Sequence, residues 1–253
     1  MGAEEFENRV RRLEAWTGDE SFALGSCDLS PAMAAALRPD LAVSESLYRP
    51  LEAGLTVLES GLDPVLIDSM AKASGPLARA EADYARRLAD GADVWVRAGG
   101  RSAPPSERSF RPADERRWGG KPTGGLFTSR ASKDHPGAWF AYLLNNVAEF
   151  PHPWNAWSLT TEATRTRTIS SAVEWCAFVD EYRADDAGHA DWRAASADLD
   201  AVRLTPAAVF AIDGCEFVAR GRAYAATWWT CETTVWLHWR FDNVEPYQLP
   251  SAQ

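Results

Sequence analysis

Long hydrophobic runs are missing from this 253-residue chain, in which apolar stretches extend over only a few residues. A membrane-spanning helix needs about 20 consecutive apolar residues, and a signal peptide needs an apolar core behind a basic start. The opening sequence MGAEEFENRVRRLEAW is charged and has no such core. We therefore expect a cytoplasmic protein that does not enter a membrane. Hydrophobic residues still make up 46% of the chain, enough for the core of a globular protein.

Metal-binding and disulfide patterns are missing as well. The four cysteines form no CxxC motif, and the four histidines form no HxxxH or HxxE motif. Zinc sites and disulfide frameworks show such clustered spacings. The sequence therefore predicts reduced, mostly buried thiols and no bound metal. The residues concerned are Cys27, Cys176, Cys215, Cys231, His135, His152, His189 and His238.

Basic residues are outnumbered, because 26 Lys and Arg face 36 Asp and Glu and give a formal charge of −10. Such a charge repels phosphates and disfavours non-specific binding to nucleic acid or to anionic membranes. Between Arg97 and Lys133 the balance reverses, with nine basic and three acidic residues. Two interpretations of this segment remain open. It either meets a pyrophosphate or a nucleic-acid target, or it is a solvated charged loop.

Tryptophan is scarce in the first third of the chain, where Trp16 alone of the twelve precedes residue 95. That part is rich in Ala and Leu, and its apolar residues lie three and four positions apart, which is typical of amphipathic helices. The pattern predicts an all-helical N-terminal region over residues 1–90 and a second domain over residues 91–253. The predicted N-terminal helices are Pro31–Leu37, Glu45–Ser60, Pro64–Ala73 and Pro76–Ala89.

After Gly91 short β-branched and aromatic runs alternate with helical periodicity, so we expect an α+β fold. The predicted strands are Asp93–Arg97, Gly125–Ser129, Ala156–Thr160, Arg167–Ile169, Ala201–Leu204 and Thr233–Trp239. The predicted helices are Gly137–Ala148, Ser171–Tyr182 and Ala190–Leu199. The loop Gly99–Pro122 is long and rich in Pro, Gly and Arg, and loops of that length in compact domains are commonly functional.

The segment KPTGGLFTS, Lys121 to Ser129, is predicted to be a turn that leads into a strand. Pro122 stiffens the turn, and Gly124 and Gly125 allow positive φ angles and close approach of a ligand to the backbone. Thr128 and Ser129 then present hydroxyl groups. The segment is not a phosphate-binding P-loop, because Pro follows the Lys. An ordinary turn before a strand is the alternative interpretation.

Two charged residues stand out near predicted strands. Arg97 ends DVWVR and is followed by two glycines, and its planar guanidinium suits bidentate phosphate binding. Glu232 lies within the apolar and aromatic stretch TWWTCETTVWLHW. Because a buried carboxylate is costly without a partner, Glu232 is expected either to pair with a base or to take part in chemistry.

Arg97, Thr128–Ser129 and Glu232, in this order, resemble the three-part motif of the ADP-ribosyltransferase superfamily. The resemblance covers Asp93 to Trp239. KPTGGLFTS followed by Trp139, and the late CETTVW, are similar to a group of actinobacterial and phage proteins associated with that fold. The resemblance implies a split β-sheet domain, NAD as a substrate, and a role as a toxin or phage effector.

The resemblance also implies a role for each residue. Arg97 would contact a phosphate of NAD or the nicotinamide ribose, and Glu232 would bind the ribose 2′-hydroxyl as the catalytic residue. Loss of nicotinamide passes through an oxocarbenium-like state, which a fixed carboxylate stabilises. The implied NAD contacts are Arg97, Gly124, Gly125, Leu126, Thr128, Ser129 and Trp139, with Phe127 or Trp139 stacking on nicotinamide.

Two departures from the family pattern concern the acceptor and the middle motif. Members that modify arginine carry a second Glu two positions before the catalytic one, and several others carry Gln, whereas this chain has Thr230. The middle motif is Phe-Thr-Ser rather than Ser-Thr-Ser. The acceptor therefore stays open among a protein, a nucleic acid, a small molecule and water, the last giving an NAD glycohydrolase. A non-catalytic protein that binds a nucleotide, a sugar or a partner is a further alternative.

Overall fold

A computed structural model describes residues 59–73, 82, 86, 91–98, 103–113, 115–116, 121–131, 137–145, 150, 153–186, 188–212, 215–226, 229 and 231–248. The predicted helix Pro31–Leu37, almost all of Glu45–Ser60 and all but two residues of Pro76–Ala89 lie outside the described residues. Cys27, His135, His152 and Thr230 also lie outside them.

The described elements are short strands with a few helices between them. The strands are β1 (Glu59–Leu62), β2 (Ala92–Ala98), β3 (Glu115–Arg116), β4 (Pro122–Thr123), β5 (Leu126–Ala131), β6 (Trp154–Thr160), β7 (Thr166–Ile169), β8 (Ala201–Leu204), β9 (Cys215–Ala219), β10 (Arg222–Ala226), β11 (Thr233–Trp236) and β12 (Asn243–Pro246). The helices are α1 (Pro64–Ala73), α2 (Ala138–Asn145), α3 (Ala172–Glu181), α4 (Trp192–Asp198) and α5 (Pro206–Ile212). A single 3-10 turn spans Glu107–Ser109.

Seven of the strands form one mixed sheet in the order β12-β6-β2-β5-β11-β8-β7. Neighbours in this sheet are antiparallel except β7 and β8, which are parallel. A second sheet has the order β1-β9-β10, and β3 pairs with β4. The prediction of an α+β fold is confirmed.

The two faces of the large sheet are covered differently. On one face, Val202, Leu204 and Val235 pack in the main core with residues of α3, α5 and the three-stranded sheet β1-β9-β10. On the other face, Ala201 and Trp236 pack with Leu159 and Phe241 in a smaller cluster. Alternation of side chains along β8 and β11 therefore divides neighbouring residues between two environments.

The N-terminal region is not all helical, because β1 lies within it and pairs in parallel with β9. Helix α1 has the predicted bounds, Pro64–Ala73, and packs against α3. Its buried Asp68 accepts hydrogen bonds from the backbone N–H groups of Ala172 and Val173, at 2.7 and 3.0 Å, and so caps α3. The residues from Glu59 to Ala73 therefore belong to the same core as the later elements.

No helix in the described part of the chain is long and apolar enough to cross a membrane.

Candidate functional site

The turn in KPTGGLFTS has the backbone that its glycines predict. Gly124 and Gly125 have φ angles of +96° and +74°, so both lie in the left-handed region. A side chain on Gly124 would collide with the carbonyl of Pro112, and a Cβ on Gly125 would lie 2.7 Å from the carbonyl oxygen of Trp236. The Gly125 N–H also donates to the Arg111 carbonyl at 2.6 Å. The glycines therefore allow the turn to pack closely against Arg111 and Pro112 of the preceding loop and against β11.

Thr128 and Ser129 are both buried, and their hydroxyls serve opposite sides of β5. Thr128 Oγ1 donates to Asp93 Oδ1 at 2.7 Å and accepts from Trp236 Nε1 at 2.9 Å. Ser129 Oγ accepts from the backbone N–H of Trp139 at 3.2 Å, which ties the first turn of α2 to β5. These contacts hold the predicted motif together and order the strands around it.

Glu232 lies immediately before β11, and its side chain has no exposed surface. Its Oε1 accepts from the guanidinium of Arg203 at 2.7 Å, in an ion pair whose arginine side chain is 20% exposed. Its Oε2 accepts from the backbone N–H of Arg130 at 3.2 Å. The carboxylate is therefore held by a cation from β8 and an amide from β5.

Register places the Glu232 pair on one particular face of the sheet. Thr234 lies opposite Thr128 on β5 and opposite Arg203 on β8, so these three side chains share a face, which we call the Arg203 face. Val235, with Phe127 and Val202 opposite it, belongs to the other face. Arg203 projects from the first of these faces, and its guanidinium binds the Glu232 carboxylate next to the start of β11.

A pocket of about 240 Å³ lies on the other face, which we call the pocket face. It is lined by residues of the KPTGGLFTS segment, by the first turn of α2 and by both chain neighbours of Glu232. The lining residues are Lys121, Pro122, Phe127, Thr128, Trp139, Cys231 and Thr233. The pocket thus includes Thr128 and Trp139 from the predicted NAD contacts, whereas Glu232 does not belong to its lining.

Arg97 is described through its backbone, which pairs with Asn155 near the end of β2. Asp93, four residues earlier on the same strand, lies opposite Arg130, the residue whose amide binds Glu232. At about 3.3 Å per residue, Arg97 is displaced from that level by about 13 Å along the strand. Strand β2 therefore lies beside β5, which carries Thr128 and Ser129. Arg97 itself lies near the end of β2 that is distant from Glu232.

Sequence reasoning did not select Arg203, whose guanidinium forms an ion pair with Glu232. A signal for it exists, because Arg203 is the one charged residue in the apolar strand AVRL. Glu232 is likewise an isolated charge in an apolar stretch, and buried charges of opposite sign require each other. Nothing in the sequence, however, indicates that β8 and β11 are neighbours.

Neither the buried Cys176 thiol nor a metal-binding cluster supplies further chemistry in the described residues. Burial raises the pKa of the Cys176 thiol to about 12, with the nearby Asp180 and Asp68 adding to the effect, so it stays protonated and unreactive. Within the described residues no group of three or more His, Cys, Asp or Glu side chains is placed to hold a metal ion.

Comparison with known proteins adds no relative to this description. No protein-family model matches the sequence, and neither curated proteins nor solved structures give a match.

Proposed function

We propose that the protein is an NAD-dependent mono-ADP-ribosyltransferase with an ADP-ribosyltransferase-like split-sheet fold. The observation that carries this proposal is the order of the strands. β2, β5 and β11, which bear or adjoin Arg97, Thr128–Ser129 and Glu232, are consecutive in the large sheet although they lie far apart in the sequence. A site that contacts one extended ligand through three separate motifs requires this adjacency.

On this proposal NAD binds at the Arg203 face, where Arg203 binds Glu232. Arg203 is the partly exposed member of the pair, so a ligand meets its guanidinium before it meets the carboxylate. A diphosphate is a strong bidentate partner for a guanidinium. Movement of Arg203 towards the diphosphate would uncover Glu232 beside the ribose.

The proposed reaction breaks the bond between the ribose C1′ and the nicotinamide nitrogen, and neutral nicotinamide leaves with the bonding electron pair. Glu232 stabilises the positive charge that develops on the ribose. An acceptor nucleophile then forms the new bond to C1′ and loses its proton. If water is the acceptor, the same chemistry makes the protein an NAD glycohydrolase.

A non-catalytic protein that binds a nucleotide or a partner is the second candidate. The observation that favours it is the environment of Glu232, whose side chain is fully buried and bound to Arg203 and to the Arg130 amide. A carboxylate in such surroundings also serves to fix β5, β8 and β11 against one another. The two candidates differ in whether the carboxylate is needed for NAD cleavage.

The test uses NAD labelled in the adenylate phosphate, incubated with the protein in the presence and absence of cell extract. Released nicotinamide is quantified by chromatography, and labelled protein, nucleic acid and small molecules are separated. Wild type is expected to release nicotinamide and to label one of these classes, whereas Glu232→Gln is expected to do neither. The matched control is Glu162→Gln, because Glu162 is an exposed carboxylate on a loop.

Each outcome selects one of the candidates. Nicotinamide release that depends on Glu232 but labels no acceptor identifies a glycohydrolase. NAD binding without release, equal in wild type and Glu232→Gln, supports the non-catalytic protein and contradicts the proposed transferase.

A further inference from the structure

Glu232 is not among the residues that line the pocket, and its carboxylate is bound to Arg203, which projects from the opposite face of the sheet. The pocket volume of about 240 Å³ lies below the roughly 300–1,000 Å³ of pockets that hold drug-sized ligands. It is therefore too small to enclose a dinucleotide. A cavity of about 150 Å³ holds one benzene ring, so this pocket has room for a second ring or a substituent.

Two aromatic side chains form much of the wall, and the indole of Trp139 is fixed from several sides. Its backbone N–H binds Ser129 Oγ, its Nε1 donates to the Val96 carbonyl at 3.3 Å, and its ring meets Phe150 edge to face at 6.0 Å. Phe127 lies beside it on β5 and is partly buried. A wall held in place in this way favours a rigid, planar ligand, because little side-chain entropy is lost on binding.

The charge of the pocket comes from Lys121, which is the charged residue among the described lining residues. Its Nζ lies 5.1 Å from the ring centroid of Trp229. The other lining residues with polar side chains are Cys231, Thr128 and Thr233. Thr233 Oγ1 donates to the Cys231 carbonyl at 2.9 Å, and Thr128 Oγ1 is bound on the Arg203 face. An ammonium group beside aromatic walls matches a carboxylate on an aromatic ring.

We propose that this pocket binds a small aromatic carboxylate of one or two rings, with the ring against Phe127 and Trp139 and the carboxylate at Lys121. The site is independent of Glu232 and of NAD cleavage. Its occupant is a separate small molecule that binds on the face opposite the proposed reaction.

Cys231 provides a direct reporter for the test. It is partly exposed in the pocket wall, whereas Cys176 and Cys215 are buried. The rate at which iodoacetamide alkylates Cys231 in the full chain is measured by peptide mass spectrometry. The probes are quinoline-3-carboxylate and quinoline-3-carboxamide, which have nearly the same size and differ in charge.

At ten times its Kd, the carboxylate is expected to slow alkylation of Cys231 about tenfold, while the carboxamide at that concentration has little effect. Lys121→Gln should remove the preference for the carboxylate, and the control Lys72→Gln, in α1, should keep it. Calorimetric titration of unmodified wild type with both probes supplies a second measurement that needs no variant. Glu232→Gln should bind the carboxylate as wild type does, which separates this proposal from the proposed enzyme function.

Three results would overturn the inference. They are equal protection by the carboxylate and the carboxamide, protection by neither, and protection by NAD or AMP without protection by the carboxylate. The last result would assign the pocket to a nucleotide.

Discussion

The two faces of strand β11 differ in chemistry although they alternate along a few residues of chain. On the Arg203 face, Glu232 forms a buried ion pair, and Thr234 and Thr128 lie beside it. On the pocket face, Thr233 and Val235 face apolar and aromatic side chains. The segment CETTVW therefore contributes a buried ion pair at Glu232 and, through Cys231 and Thr233, part of the pocket wall.

That division determines how the sequence motif should be interpreted. Most of the predicted NAD contacts lie in KPTGGLFTS, with Arg97 and Trp139 outside it. Trp139 lines the pocket on one face, whereas Arg203, which binds the Glu232 carboxylate, projects from the other. Glu232 is not among the residues that line the pocket. The proposed reaction requires NAD on the Arg203 face, and the proposed aromatic site uses the pocket face.

The largest expected effect on stability comes from Arg203. Replacing Arg203 with Met leaves the Glu232 carboxylate buried without its cation, which should cost about 3–5 kcal/mol of unfolding free energy. Urea denaturation at neutral pH measures the loss. In the double variant Arg203→Met with Glu232→Leu, where both charges are gone, much of the loss should be recovered. A cost below about 1 kcal/mol for the single variant would show that the pair is not buried in solution.

A second carboxylate with more exposed arginines gives a smaller effect that depends on pH. Burial alone would raise the pKa of Asp200, but hydrogen bonds from Arg165, through its backbone N–H and guanidinium, and from Arg240 lower it from 3.8 to about 2. Because the folded-state pKa is lowered, the stabilisation is present above the unfolded pKa of 3.8 and is lost as pH falls through about 2.

Asp200→Asn should therefore lose about 2 kcal/mol at neutral pH, and the gap from wild type should narrow in the acid range between those two pKa values. Unfolding free energies measured across that range supply the test. A gap that does not change with pH would mean that the charge of Asp200 makes no contribution.

Two neighbouring threonines of β11 differ in whether their hydroxyl groups are hydrogen-bonded. On the pocket face, Thr233→Val removes the hydrogen bond to the Cys231 carbonyl and should cost about 1 kcal/mol. On the Arg203 face, the buried Thr234 hydroxyl has no hydrogen-bond partner among the described residues, so Thr234→Val should be neutral or stabilising by up to about 1 kcal/mol. Opposite shifts in the denaturation midpoint are expected. Equal losses in both variants would show that the Thr234 hydroxyl is hydrogen-bonded in solution.

The smallest effect is expected at an exposed ion pair. Arg167 Nη2 lies 3.0 Å from Glu181 Oε2, and the two side chains are 38% and 45% exposed. Arg167→Met should change the unfolding free energy by about 0.5 kcal/mol or less, because solvent screens the pair. Comparison with Arg203→Met, the same substitution in a buried pair, isolates the effect of burial. A loss as large as that of Arg203→Met would refute the distinction.

Local patterns predicted much of the secondary structure. The bounds of α1 and β8 agree with the predicted Pro64–Ala73 and Ala201–Leu204, and α3, within Ser171–Tyr182, has a Ser cap that the sequence signals. The predicted strand Thr233–Trp239 ends at Trp236. Leu237 turns away there, its N–H donating to the Asp200 carbonyl at 2.8 Å. Strand ends set by such distant partners leave no local signal.

The tertiary contacts were harder to predict from the sequence than the secondary structure. β1 was included in a predicted helical region because its pairing partner, β9, lies far along the chain. The ion pair of Glu232 was anticipated only as a need for some base, since nothing local indicates that β8 lies beside β11. The register of β5, β8 and β11 decides which of their side chains share a face of the sheet, and the motif does not encode that register.

The most direct test of the central proposal is the rate of nicotinamide release from saturating NAD by wild type, Glu232→Gln and Glu162→Gln. Gln keeps the size of Glu232 and still accepts from the Arg130 amide, but it lacks the negative charge. We predict that Glu232→Gln releases nicotinamide at least about 100-fold more slowly while Glu162→Gln matches wild type. Equal rates in all three proteins, or no release by wild type, would contradict the proposal that Glu232 cleaves NAD.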